Sequence, residues 1–481
     1  MNQIQIDPTP TFKLSPYLYM QFMEPLGTTD GSVAAAWDHQ RNVWRKDVVD
    51  AAKELNPPMM RWGGCLSSFY RWKEAVGPRA QRTPMLNVLW GGTESNQIGT
   101  DEFLDFCSQT RAEPLLNINF ESDGRKPWAR PAPGMNRSAG PAEAAEWVDY
   151  CNNPDNALRR RFRTKPGSNV RWWQIGNETS YDKNGFDCRT SVRKTVEFAK
   201  AMRKADPDIK IIAWGDSGWA REMMDGAGEH ISSLAFHHMF DPCRNMKNSP
   251  LRDNEFRKDP DRTWECLMDA WKDHDRRLRE VREQASGCDA PLAMTECHFA
   301  LPGRNRCEVL SSWAAGVANA RLLNVNERHG DVLQIATLAD FCGTRWQVNA
   351  VMIPTPEGRS FLMPVARVMS LFRNHQGRSA LNVSSTGSLD VTASRTGNTL
   401  FLHVVNYHRT RSQRAQIHVN GASIRSGKVF EISAPAEVEI MDTCPDLLKP
   451  VERRLVNVAE WTFPARSVSA VELKLGTARP E

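Results

Sequence analysis

Between about residue 16 and about residue 376, short apolar runs alternate with longer stretches whose apolar residues recur every three or four positions. That rhythm predicts βαβ units and a parallel sheet. The predicted strands are Tyr17–Glu24, Pro58–Trp62, Pro114–Phe120, Val170–Gly176, Ile209–Trp214, Ser232–His238 and Pro291–Glu296, with Val332–Leu338 as an eighth. Predicted helices between them include Pro141–Asn152, Thr190–Ala205, Thr263–Gln284 and Val309–His329. Pro141 suits a first helical position, where its missing N–H costs no hydrogen bond. After about residue 378 the period changes to two. SLDVTASRTGNTLFLHVVNYH reads as an antiparallel hairpin with a TGN turn, and AQIHVNG, KVFEISA, AEVEIMD and SVSAVELKL continue the alternation. The pattern predicts an α/β chain: a (β/α)₈ TIM barrel over 16–376 and a C-terminal antiparallel β-sandwich over 377–481. The opening IQID, within 1–15, is a short strand expected to join that sandwich.

Size agrees with this division, since a barrel of this type takes roughly 250 residues or more and the chain has 481. The 62 basic and 57 acidic residues are mixed along the chain, for a net charge of +5 and no long Lys/Arg run. Charge therefore points to neither nucleic acid nor an anionic membrane as a partner. The 11 cysteines are odd in number and form no CxxC pair, which argues against a disulfide framework. No basic and apolar leader opens the chain, and no window of about eighteen apolar residues occurs. These features predict a cytoplasmic protein with reduced thiols.

Two strand ends carry the chemistry. WWQIGNETS brings an apolar strand directly into Asn177-Glu178, and APLAMTECHF ends another at Thr295-Glu296. In a barrel both glutamates would stand at the C-terminal mouth, where active sites of this fold lie. The 118 residues between them leave room for three further βα units, so the two would face each other. Glycoside hydrolysis needs such a pair, one carboxyl to protonate the leaving oxygen and one to attack the anomeric carbon. A glutamate at a strand end is also a common surface or helix-capping residue. The pair by itself therefore leaves the two readings open.

The segments MRWGGCLSSFYRWKEAVGPRAQR and TESNQIGTDEFLDFC, then IGNE, FHH, the strand-end TE and FPARSVSAVELKL, occur in an order that resembles glycoside hydrolase family 51. That family consists mainly of α-L-arabinofuranosidases, retaining barrel enzymes. The resemblance implies Glu178 as general acid/base and Glu296 as nucleophile. It further implies Asn177, Glu24 of QFMEPLG, His237 and Asn349 of WQVNAVM as sugar-binding residues, no metal or other cofactor, a glycoside or oligosaccharide substrate, and a homo-oligomer. Trp62, Trp72, Trp90 and Trp214 are candidate stacking surfaces for sugar, with core packing as the ordinary alternative. His237-His238 lacks the accompanying ligand spacing of a metal site, and Gly63-Gly64 fits a tight turn rather than a phosphate loop.

Departures from the family pattern fall around the expected pocket. In Arg61-Trp62-Gly63-Gly64-Cys65 either a residue is missing or Trp62 replaces the proline that usually precedes the glycine pair, and TTDGSVAAAWD follows the first strand. Cys297, His298 and Phe299 follow the nucleophile where Trp is usual, and no tyrosine follows His237. Another sugar (a β-xylosidase, β-glucosidase or endoglucanase activity) and a catalytically silent sugar-binding barrel are the alternatives.

Overall fold

The computed structural model describes residues 1–476 apart from 27–31, 122–136, 163–168, 183–184, 289, 304–305, 356 and 456–458. Part of the TTDGSVAAAWD stretch thus lies outside the described residues.

Eight parallel strands form the barrel: Gln21–Met23, Met59–Trp62, Glu113–Ile118, Trp172–Ile175, Lys210–Trp214, Ser233–Phe240, Leu292–Phe299 and Leu333–Ala336. Each pairs with the next in sequence order, as right-handed βα crossovers require. The first strand is shorter than its apolar run suggests, because Pro16 starts a 3₁₀ turn over Pro16–Tyr19. The eighth strand runs on past a break at Thr337–Ala339 into Asp340–Gly343, which pairs with the first strand through Asp340 and Phe22. The Met20 N–H donates to the Ala336 carbonyl at 2.9 Å and completes the closure.

Met20, Met59, Leu115, Ile212, Trp214, Ala235, Ala293 and Ile335 fill the barrel interior as one apolar layer. Their alternate neighbours, among them Met60, Leu116, Trp173, Leu234 and Met294, pack outward against the helices. The helix between strands three and four is Pro141–Asn152, as its spacing predicts. Two others begin earlier than their apolar periodicity. Cys188–Ala205 starts where the Asp187 side chain accepts from Thr190 N–H, and Pro260–Gln284 where Asp259 accepts from Arg262 N–H. No helix of the described residues is long and apolar enough to cross a membrane, and the eleven cysteines are free.

The C-terminal region is a nine-stranded sheet. Its order is Val451–Arg454, Ile424–Ser433, Ser467–Leu475, Thr399–Asn406, Leu389–Thr396, Ser379–Ser385, Asn2–Lys13, Gln413–Val419 and Glu460–Phe463. It folds over a core that includes Ile4, Ile6, Leu402, Ile417, Phe463 and Val471. Trp461 Nε1 donates across to Glu431 Oε2 at 3.2 Å. The opening strand is twelve residues long rather than four, and it pairs antiparallel with Ser379–Ser385. It runs parallel to Gln413–Val419, so the sandwich is not wholly antiparallel.

AEVEIMD, predicted as a strand, forms only an isolated bridge between Glu439 and Ser312. Its alternation serves another purpose: the Ala436 and Val438 carbonyls accept from the Ala314 and Trp313 N–H groups, which have no partner within their own helix. That helix, Trp313–Arg328, begins after a 3₁₀ turn at Glu308–Ser311 and is buried on every side between barrel and sandwich. Along it Arg321 Nε meets Asp390 Oδ2 at 3.1 Å, with both side chains more than nine-tenths buried, and Asn324 Nδ2 donates to Asp390 Oδ1 at 3.1 Å.

Replacing Asp390 by Ala leaves Arg321 charged and unpaired in the interior, a situation that typically costs about 3–5 kcal/mol. Urea unfolding of Asp390→Ala is expected to show a loss of that order. A loss within about 0.5 kcal/mol, the range of an ordinary surface substitution, would contradict the pairing.

Candidate active site

Strand two carries an arginine among apolar residues. By alternation Met59 points inward, Met60 outward, Arg61 inward and Trp62 outward, and Arg61 is fully buried. A buried guanidinium is tolerated only when its donors are satisfied. Here Nη1 donates to Glu296 Oε1 at 2.8 Å, Nη2 to Asn177 Oδ1 at 2.6 Å, and Nε to Gln174 Oε1 at 2.9 Å. One side chain thus ties the end of strand two to the ends of strands four and seven.

Glu296 reaches this site through an irregularity. In the pairing of strands six and seven, Phe236 faces Met294 and His237 faces Glu296, so Thr295 is an extra residue without a partner. Such a bulge reverses the phase of alternation. Without it Ala293 and Thr295 would point inward and Glu296 would face the helices. Glu178 arrives differently: Gly176 at φ 73° and Glu178 itself at φ 50° make a sharp turn off strand four. A non-glycine residue in the left-handed region carries a backbone cost that clusters at functional sites. A Cβ on Gly176 would meet Thr179 Cγ2 at 2.7 Å.

His237 lies between the two glutamates. Its Nδ1 is 3.0 Å from Glu178 Oε1 and 3.6 Å from Glu296 Oε2, and its Nε2 is 3.0 Å from Thr295 Oγ1. The Trp214 ring stands edge-on to the imidazole at 4.7 Å. His237 N–H donates to Asp216 Oδ2 at 3.3 Å, and Tyr181 donates to the same oxygen at 2.7 Å. Burial acts to raise the Asp216 carboxyl, but the paired Arg277 guanidinium, the Tyr181 hydroxyl and the Ser217 N–H outweigh it and hold it below the ordinary value. Cys65 Sγ lies 3.7 Å from Glu178 Oε2.

Glu24 completes a set of three buried carboxyls. It lies directly over Gly64, where a Cβ would come within 2.3 Å of its Cδ, and it accepts from Trp90 Nε1 at 3.3 Å. Loss of hydration, followed by the charge of Glu296, pushes Glu24 up to about 8. A proton on Glu24 spares Glu296 a second buried anion beside it.

Of the residues singled out from sequence, Glu24, Asn177, Glu178, His237 and Glu296 are gathered around Arg61. Asn349 is not joined to them directly: its Nδ2 bonds the Trp346 carbonyl at 2.5 Å, and Trp346 packs edge-on to Trp90 at 6.0 Å. Among the tryptophans, Trp62 and Trp72 are buried against Phe103 and Trp147, and Trp214 against His237. Trp90 alone of the four is partly exposed. His238 points outward, stacked on Phe240 at 4.3 Å, and burial holds it neutral, down to about 2. Arg61, Cys65 and Thr295 lie within the quoted motifs but were assigned no role there, and Asp216 lies outside them. The charge of Arg61 inside MMRW was the one visible signal.

An oxygen of Glu178, an oxygen of Glu296 and a His237 ring nitrogen all lie within 4.8 Å of one another. That spacing would suit an ion, but the Arg61 cation already sits on Glu296 and opposes a second positive charge there. The chemistry this arrangement supports is proton transfer and attack by paired carboxyls.

Residues 51–257 match the family model of the α-L-arabinofuranosidase 1 domain, and residues 300–467 that of the α-L-arabinofuranosidase C-terminal domain. Together the two models span most of the chain, which is arabinofuranosidase-like. A probable α-L-arabinofuranosidase C of Aspergillus terreus is 33% identical over 218 residues, which span 43% of this chain and 40% of that relative. An intracellular exo-α-(1→5)-L-arabinofuranosidase of Acetivibrio thermocellus is 28% identical over 219 residues, 41% of this chain and 39% of the relative. The matched stretch is therefore about two-fifths of the length of either relative. An α-L-arabinofuranosidase from Thermotoga maritima, solved as an arabinose complex, superimposes with a TM-score of 0.80 over 98% of this chain and all of that one, at 23% identity. Its likeness shows the shared architecture of barrel and C-terminal sheet domain.

Glu24 also makes stability pH-dependent. A carboxyl raised in the folded state favours folding fully below its unfolded value, near 4.5, and this contribution is lost as the pH rises through about 8. Wild-type stability measured against Glu24→Gln is therefore expected to fall from pH 5 to pH 9. A difference that stays flat over that range would show that Glu24 ionises normally.

Proposed function

We propose that this protein is a retaining, exo-acting α-L-arabinofuranosidase that releases terminal arabinofuranose from oligosaccharides. The observation that carries the reading is the spacing of Glu178 and Glu296, whose nearest oxygens are within 4.8 Å. Retaining glycosidases hold their carboxyl groups about 5–5.5 Å apart, whereas inverting ones leave about 6.5–9.5 Å for a water. The reading divides the chain into a catalytic barrel over 16–376 and a sandwich over 377–481 with 1–15.

In this reading Glu178 protonates the glycosidic oxygen as Glu296 attacks the anomeric carbon, and a glycosyl-enzyme ester forms. Glu178, now ionised, then takes a proton from the incoming water, which displaces Glu296 and returns it as a carboxylate. Arg61 places its positive charge against Glu296, the group that must attack as an anion. Its second arm fixes Asn177 beside the acid for a sugar hydroxyl. Glu24, protonated and backed by Trp90, offers both a donor and an acceptor to the furanose, with His237 between the glutamates. No metal or other cofactor takes part. The likeness to the intracellular exo-α-(1→5)-L-arabinofuranosidase of Acetivibrio thermocellus supports (1→5)-linked arabinose inside the cell as the setting.

Azide rescue of two variants on 4-nitrophenyl α-L-arabinofuranoside tests the roles. Glu178→Ala still forms the glycosyl-enzyme with this activated leaving group, and azide then yields the α-azide. Glu296→Ala has no nucleophile, so azide attacks the substrate itself and yields the β-azide. Turnover that survives Glu296→Ala without azide, or the same azide from both variants, would overturn the assignment.

A further inference from the structure

His298 follows the bulge by three residues and Glu296 by two. Downstream of Thr295 the register pairs Glu296 with His237, Cys297 with His238 and His298 with Met239. Alternation then turns His298 to the same side as Glu296, about 6–7 Å further along the strand. Burial follows the same order: Glu296 and Cys297 are buried, with Cys297 against the helices, while His298 is partly exposed and Met239 opposite it is 36% exposed. His298 and Met239 therefore stand one step nearer the mouth than the catalytic pair. Below that pair the apolar layer from Met20 to Ile335 fills the barrel. A leaving group attached at the anomeric carbon must depart toward this mouth, on whose rim His298 stands.

The tautomer of His298 is set by its own strand. Nδ1 lies 2.8 Å from the Phe299 carbonyl oxygen, which can only accept, so Nδ1 carries the hydrogen. Nε2 is left as a lone-pair acceptor. Burial lowers the imidazole below its ordinary value, so this neutral form persists at physiological pH. An acceptor in this position, next to the apolar flank of Met239, fits a hydroxyl-bearing sugar ring.

We propose that His298 Nε2 accepts a hydrogen bond from a hydroxyl of the leaving-group sugar, so that the enzyme favours a saccharide over an aryl leaving group. The inference rests on the arabinofuranosidase reading above and names what that site holds beyond the released sugar. The test compares kcat/KM for α-(1→5)-arabinobiose with that for 4-nitrophenyl α-L-arabinofuranoside in wild type, His298→Phe and His298→Gln. Both substrates are measured on one preparation of each protein, so partial misfolding cancels in the ratio. One neutral hydrogen bond corresponds to about fivefold. The ratio is expected to fall by that factor in His298→Phe, which keeps a ring without an acceptor, and to recover in His298→Gln, whose amide oxygen accepts. An unchanged ratio in His298→Phe overturns the inference and leaves the reading of the site standing. Failure of the wild type on both substrates overturns the two together.

Discussion

The site depends on one buried cation. A guanidinium sealed from water is tolerable only with partners for its charge and its donors, and Arg61 finds them on strands four and seven at once. Its three nitrogens go to three different side chains, which fixes Glu296 and Asn177 relative to each other without a contribution from substrate. Lysine would supply the charge but not the fork, because a single ammonium cannot meet three separately placed acceptors in the same geometry. With Glu296 committed to Arg61, the other two carboxyls settle in turn. Glu178 goes to the imidazole and the Cys65 thiol, and Glu24 keeps its proton because burial, and after it the charge of Glu296, disfavours a second anion there.

Rigid elements hold this arrangement in two ways. Beneath it the apolar layer, contributed by six of the barrel strands and Met20, leaves no room for the polar groups to sink. Beside it the strand ends are distorted in ways that aim side chains: the left-handed turn at Glu178, the glycine pair under Glu24 and the unpaired Thr295. The bulge has the largest consequence. It turns Glu296 from the helix layer to the barrel axis, and it carries His298 round to the mouth with it.

Much of the architecture was legible in the chain. Apolar runs about the length of a barrel strand, separated by helical spacing, located all eight strands to within a few residues, and the change of period near residue 378 marked the sandwich. Glu178 and Glu296 were visible because each ends an apolar run. What escaped had physical reasons. AEVEIMD alternates like a strand because it lies between two surfaces, yet its carbonyls satisfy a helix N-terminus rather than a neighbouring strand. Thr295 escaped because a bulge inserts one residue without altering composition, so TE reads as an ordinary strand end. Arg61 escaped because its partners lie more than a hundred residues away, at Gln174, Asn177 and Glu296. A lone charge in an apolar strand was the sign that such partners exist.

We propose that Glu178 and Glu296, held at this separation, carry out two successive displacements at one carbon. Proton NMR of the first sugar released from 4-nitrophenyl α-L-arabinofuranoside, recorded before mutarotation, tests it most directly. Double displacement releases α-arabinofuranose, the anomer of the substrate. Initial release of the β-anomer would mean that water attacks directly, and would contradict the role assigned to Glu296 and the geometry from which it was argued.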